Sequence, residues 1–264
     1  MGDDAELRLI RKVALARPHA VVTGPAAAKL LGLPTLDRVT VVDLRYRTSA
    51  NASGRGKDPS VRYRGGKLRA DQIFMRDGVA HVDMMQMLFD IYRFHGRLAA
   101  LVPLEHLRFK HQVTIERLLD AARWLPRANG IRGFEELIRY SSNTSQSPLE
   151  TIGRDAILQA HIPEIRSIEY QAEIRYVGFY GEPRTALVDV LINGWLVVEF
   201  DGRVKFSGDY GEVRDVTVDQ LDRQNAVQAK GYFFLRAGWG DVVSGHIVRD
   251  IERTLRTLPG KVSA

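Results

Sequence analysis

Four carboxylates in the second half of the chain, Glu150, Asp189, Glu199 and Asp201, have the types and spacing that a divalent-cation site requires, and Lys205 follows close behind them. Asp189 interrupts the apolar run ALVDVLI, and Glu199 ends the apolar run WLVVEF. A carboxylate inside a strand is expensive to bury unless it is paired or bound to a metal. Glu150 falls in the first turn of a helix that begins at Ser147-Pro148, and Gly202 releases the chain after Asp201. Hard oxygen ligands of this kind hold Mg²⁺. A metal so held lowers the pKa of a bound water and neutralises phosphate charge, which is the chemistry of phosphodiester hydrolysis. Lys205 would stabilise the developing charge, and Asp201 would add a ligand or position water. Each residue also has a simpler reading. Ser147-x-x-Glu150 is a capping box, Asp201-Gly202 is a strand-end turn, and Lys205 is an ordinary solvated lysine.

These residues converge only if certain elements position them. The segment after residue 147 reads as a helix to about Ala160 and strands at Tyr170–Val177, Ala186–Leu191 and Leu196–Phe200. A polar helix near Asp215–Lys230, a strand at Tyr232–Ala237 and a helix at Gly245–Leu258 complete it. The order αβββαβα predicts a mixed sheet with helices packed on it.

The hairpin at Asn193-Gly194 is a geometric test. A two-residue turn pairs Ile192 with Trp195 and sends Glu199 to the face opposite Asp189. A three-residue loop, Ile192 to Gly194, pairs Leu191 with Trp195, sets Asp189 opposite Val197 and lets Glu199 share its face. The site therefore requires an odd-length loop or a bulge, although Asn-Gly by itself favours two residues.

In the first half, apolar periodicity predicts a helix over Ala5–Arg17. Thr23 with Pro25 opens a short Ala-rich helix ending at Gly32. A strand over Arg38–Leu44 and a basic loop over Thr48–Gly66 follow. The helix Val82–Tyr92 carries Met84, Met87, Leu88 and Ile91 on one side, a spacing that reads as core. Two more helices lie near Thr114–Trp124 and Gly133–Tyr140, and Ser141–Ser147 (SSNTSQS) reads as a linker. The division is thus 1–140, a helical module with a small hairpin, and 147–264, an α+β or mixed unit. The basic loop could follow a DNA backbone or be a solvated tip.

The 264 residues suit two modest domains. The chain has no cysteine, which excludes disulfides, zinc-thiolate clusters and thiol nucleophiles. Its net charge of +6 favours phosphate-rich partners. No apolar run approaches the roughly 20 residues that span a bilayer, and the N-terminus lacks a signal-peptide core. No membrane association and a cytoplasmic location are the expectations. The seven histidines show no metal-ligand spacing.

The pattern Ser147-Pro148-x-Glu150, Gln171, Val188-Asp189, Val198-Glu199-Phe200-Asp201-Gly202, and Arg223 ahead of Gly231-Tyr232-Phe233-Phe234-Leu235-Arg236 resembles the Vsr-like proteins of the PD-(D/E)XK nuclease superfamily. The resemblance covers about the last 110 residues. It implies a restriction-endonuclease-like fold and metal-ligand roles for Glu150, Asp189 and Glu199. Mg²⁺, or Mn²⁺ in its place, is the implied cofactor, and duplex DNA the implied partner, with Gln171, Arg203 and Arg223 contacting substrate. More weakly, Ala20–Pro34 and Gly78–Asp90 resemble the winged-helix module that precedes such domains and is similar to abortive-infection antitoxins. The chain departs from the pattern at Asp201, where the superfamily usually has lysine although the Vsr-like group tends to be acidic. It departs again at Lys205, where that group often has histidine, and at Gln224, where it often has aspartate.

The expected function is a magnesium-dependent endodeoxyribonuclease in bacterial defence or mobile-element biology, a homodimer being compatible with it. The alternative is a non-catalytic DNA-binding regulator or antitoxin with a degenerate nuclease-like domain, and an RNA-directed nuclease is a third option.

Overall fold

The computed structural model describes residues 2–46, 58–66, 68–178, 181–202, 223 and 225–258. The chain divides into two compact units, Met1–Pro148 and Leu149–Ala264. The described residues include no helix long and apolar enough to cross a membrane.

In the first unit, helix α1 (Gly2–Leu15) precedes strand β1 (Ala20–Thr23), helix α2 (Gly24–Leu30) and strands β2 (Val42–Tyr46), β3 (Val61–Tyr63), β4 (Ile73–Arg76) and β5 (Val79–Val82). Four helices follow: α3 (Met84–His95), α4 (Arg97–His111), α5 (Ile115–Ala122) and α6 (Ile131–Tyr140). The strands form one mixed sheet in the order β3-β2-β1-β5-β4. The β4–β5 hairpin is the edge of a five-stranded sheet and not a separate wing. The short runs AVVT and VRY, too brief to show alternation, supply the strands that extend it.

The methionine-bearing helix is core, as its spacing predicts. Met87, Leu88, Phe89 and Ile91 are buried, and Phe89 meets Phe134 of α6 at a ring-centroid distance of 5.4 Å. Asp83 caps this helix by accepting the Gln86 backbone N–H at 2.8 Å. Gly24 is required where α2 leaves β1. Its φ is +63°, and a Cβ there would lie 2.9 Å from an Asp43 carboxylate oxygen.

The SSNTSQS segment is not the free linker that its composition predicts. Ser141 and Ser145 are buried. The Ser142 N–H and the Ser145 hydroxyl donate to the buried Glu105 carboxylate at 2.8 and 2.7 Å, and Arg108 donates to the Ser141 carbonyl. One backbone N–H and one hydroxyl of the segment thus satisfy the buried Glu105 of α4. The basic-loop expectation is divided. Residues 47–57, including Arg55, lie outside the described residues. The rest contains β3, whose Tyr63 stacks on Tyr46 at 4.9 Å.

The second unit runs α7 (Pro148–Gln159), β6 (Ile168–Val177), β7 (Pro183–Ile192), β8 (Leu196–Phe200), a helical stretch holding Arg223 and residues 225–228, and β9 (Phe233–Ala237). It ends with α8 (Trp239–Val243) and α9 (His246–Thr257). The sheet order is β6-β7-β8-β9, with β6, β7 and β8 antiparallel in turn and β9 parallel to β8. Helix α7 approaches the sheet closely because position 153 is glycine. A Cβ there would overlap the Phe200 ring. Gly153→Ala is therefore expected to cost about 1–3 kcal/mol from overpacking, offset in part by about 1 kcal/mol of helix propensity. A lower melting temperature checks this.

Candidate active site

The hairpin between β7 and β8 satisfies both signals in the sequence. Asn193 and Gly194 take φ of +52° and +74°, and the Trp195 N–H donates to the Ile192 carbonyl at 3.2 Å. That is the short turn that Asn-Gly favours. Ile192 nevertheless pairs with Leu196, so Trp195 is one extra residue on the β8 side. The Asn193 side chain is recruited by the preceding loop: it accepts from the Arg166 and Ser167 N–H groups and donates to the Glu164 carbonyl.

The extra residue decides the site. Pairing runs Ile192↔Leu196, Leu191↔Val197 and Val190↔Val198 and ends there; continued by one residue, this register brings Asp189 level with Glu199. The predicted loop, 192–194, is corrected to 193–195, and Val197 lies opposite Leu191 and not Asp189. The odd count that the site required is kept, and the Asp189 carboxylate turns to the β8 backbone beside Glu199, where it accepts the Phe200 N–H. The neighbouring ladders extend the row. Tyr170↔Val190 and Ala172↔Val188 flank Gln171 opposite Asp189, and Glu199 pairs with Arg236. Gln171, Asp189, Glu199 and Arg236 thus form one line across four strands.

The Asp189 carboxylate accepts the Phe200 backbone N–H at 2.7 Å and a hydrogen bond from Gln171. The Gln171 Nε2 also donates to Glu150 Oε2 at 3.2 Å, which ties the first turn of α7 to the row. Burial raises the pKa of Asp189 above the usual carboxylate range, against the hydrogen bonds and the Arg223 charge, which lower it. Burial raises Glu199 as well. Arg223 and Arg236 pull it down, and the neighbouring Asp189 and Asp201 charges push it up.

Arg223, expected on phosphate, is paired with a site carboxylate. Its guanidinium sits 2.5 Å from Glu199 Oε1, and Arg236 lies 3.5 Å from Oε2. Gln171, expected on substrate, hydrogen-bonds Glu150 and Asp189. Asp201 is exposed at the end of β8, its N–H bonded to the Ala237 carbonyl at 3.0 Å. Lys205 and Arg203 lie outside the described residues. Among the described residues no three His, Asp or Glu side chains converge as a ready metal-ligand set. The carboxylates are brought near one another, with a guanidinium and an amide between them. Arg236 is the site residue that sequence reasoning missed. Its only signal was its place ending the FFLR run, one strand over from Glu199.

Comparison of the chain with protein-family models, with curated proteins and with solved structures finds no match.

The raised pKa values of Asp189 and Glu199 set a sign for pH dependence. The folded state binds their protons more tightly than the unfolded chain does. The stability they contribute is therefore full below the unfolded carboxylate range and is lost as pH rises through the folded values. At neutral pH the two ionised groups are a net cost. Asp189→Asn is expected to melt no lower than the native protein at pH 7 and to lose this advantage at pH 3–4, checked by melting both proteins across that range.

Proposed function

We propose that the second unit is a divalent-metal-dependent nuclease acting on duplex DNA. The observation that carries this is the convergence of Asp189 with β8 at Glu199-Phe200, where its carboxylate accepts the Phe200 N–H, with Glu150 tied to the neighbouring Gln171. The succession of a helix, three antiparallel strands, a helical stretch and a fourth strand parallel to the third accords with the restriction-endonuclease-like fold that the Vsr-like resemblance implies.

The donor set fits a hard cation. Glu150, Asp189 and Glu199 offer only carboxylate oxygen. Asp189 is held by a backbone amide and a side-chain amide, donors that orient it without cancelling its charge. Burial works against ionisation at both strand carboxylates, so a positive charge between them is electrostatically favoured. These three residues would hold Mg²⁺ or Mn²⁺. A bound metal supplies an acidified water and neutralises phosphate charge.

The chain's own groups do the rest. The Phe200 N–H fixes the Asp189 carboxylate. Arg223 and Arg236 place two permanent positive charges beside the carboxylates, which draws a polyanionic backbone to this face. Asp201 and Lys205 keep their proposed parts as an additional acidic group and a charge stabiliser.

Incubating the purified protein with supercoiled plasmid, with Mg²⁺, with Mn²⁺ and with EDTA, tests the reading. Nicked or linear product that disappears in EDTA is expected. Intact plasmid at every metal concentration would reject it.

A second reading, a non-catalytic DNA-binding regulator, is favoured by two observations. The Arg223 guanidinium occupies Glu199, and the superfamily's usual lysine position holds Asp201. A gel shift with sequence-specific retention and no cleavage in either metal would select it.

A further inference from the structure

We propose that Gln171 is the positioning residue of this site, a strained strand residue whose single amide holds Glu150 of α7 and Asp189 of β7 as a spaced pair. The inference rests on the metal-site reading above and assigns Gln171 a part other than substrate contact.

The backbone is the first observation. Gln171 has φ of +52° within a ten-residue strand. A residue bearing a Cβ adopts that conformation at a cost, and such outliers persist where the surroundings demand them. The kink does not reset the strand. The pairs on either side, Tyr170↔Val190 and Ala172↔Val188, belong to one uninterrupted register, so no residue is inserted. What is lost is the pairing of Gln171 with Asp189, at the one position of the ladder that carries a carboxylate.

The amide is the second observation. The Gln171 Nε2 lies 3.2 Å from Glu150 Oε2, and the same side chain hydrogen-bonds Asp189. A primary amide has two N–H groups on one nitrogen, enough for one carboxylate each. A lysine or arginine here would also bridge the pair but would neutralise it. The neutral bridge sets the separation of the two carboxylates and leaves their charge for a cation. Partners of this kind, which orient metal ligands, are worth 10–100-fold in metal affinity.

Three full-length proteins test this: native, Gln171→Gly and Gln171→Ala, each melted without metal and titrated calorimetrically with Mn²⁺. Glycine accepts a positive φ freely and alanine does not. The expected result is that Gln171→Gly melts above Gln171→Ala and at or above the native protein, while both variants bind Mn²⁺ at least tenfold more weakly. Mn²⁺ affinity within twofold of native in Gln171→Gly would overturn the proposal, as would a glycine variant that melts no higher than the alanine variant.

Native protein that binds no Mn²⁺ removes the nuclease reading, and a metal-free cycle then decides the part of Gln171. Melting shifts of Glu150→Ala and Asp189→Ala should be non-additive in the native background and additive in the Gln171→Gly background. Additivity in both backgrounds would reject the bridge.

Discussion

Asp189→Ala is expected to lower Mg²⁺-dependent plasmid cleavage by at least about 100-fold while the protein stays folded. The carboxylate is the centre of the row, opposite Glu199 on one side and Gln171 on the other. Removing it frees the Phe200 N–H and half of the Gln171 amide and takes away one of the three oxygen donors proposed for the metal. The fold has reason to survive. The group is half-buried, and burial already disfavours its ionised form, so its loss relieves a desolvation cost at neutral pH. Circular dichroism and melting establish the fold, and initial cleavage rates give the effect. Cleavage at the native rate would remove Asp189, and with it the proposed centre, from the chemistry. The pairing of lost activity with retained or raised stability is what sets this variant apart from simple damage.

The largest expected loss of stability lies in the first unit. Asp90 of α3 is fully buried and accepts from Arg45 of β2 at 2.8 Å, the Thr23 hydroxyl at 2.6 Å and the Gln86 amide at 2.9 Å. Arg45 is 1% exposed. Burial raises the pKa of Asp90 and lowers that of Arg45, and the mutual attraction of the pair opposes both shifts. Asp90→Ala would leave a guanidinium buried without its counter-charge, at an expected cost of about 3–5 kcal/mol. That is about a fifth or more of the stability of a typical domain. Urea denaturation should show a lower midpoint. The double variant Arg45→Met with Asp90→Leu should recover most of the loss, because an apolar pair of similar volume replaces the ion pair without its desolvation penalty. A double variant as unstable as the single one would mean that geometry, not charge, is what the pair provides.

Much of the second unit was legible because its elements carry their own periodicity. Strands β6, β7 and β8 alternate or run apolar between turn residues, and the chain order of helices and strands follows. The Met87 helix declared its buried side in the same way. Helix α4 did not. It is buried on many sides, with Leu101, Val102, Pro103, Leu104 and Glu105 all covered, so it lacks the polar face that makes a helix visible. The serine-rich segment 141–147 was misread for the opposite reason. Polar composition looks solvated until a buried Glu105 claims the Ser142 N–H and the Ser145 hydroxyl.

By itself the sequence determined which residues could do chemistry and the condition under which they would meet. Side-chain direction has a period of two, so an odd count between Asp189 and its partner was obligatory. The tertiary structure decided how that count is met, through the bulged Trp195 and the loop that captures Asn193. It also decided that Arg223 and Arg236 sit on Glu199 and that Gln171 leaves the extended conformation to reach two carboxylates. Those outcomes depend on distances between segments far apart in the chain. Local propensity acts over a few residues and carries no information about them.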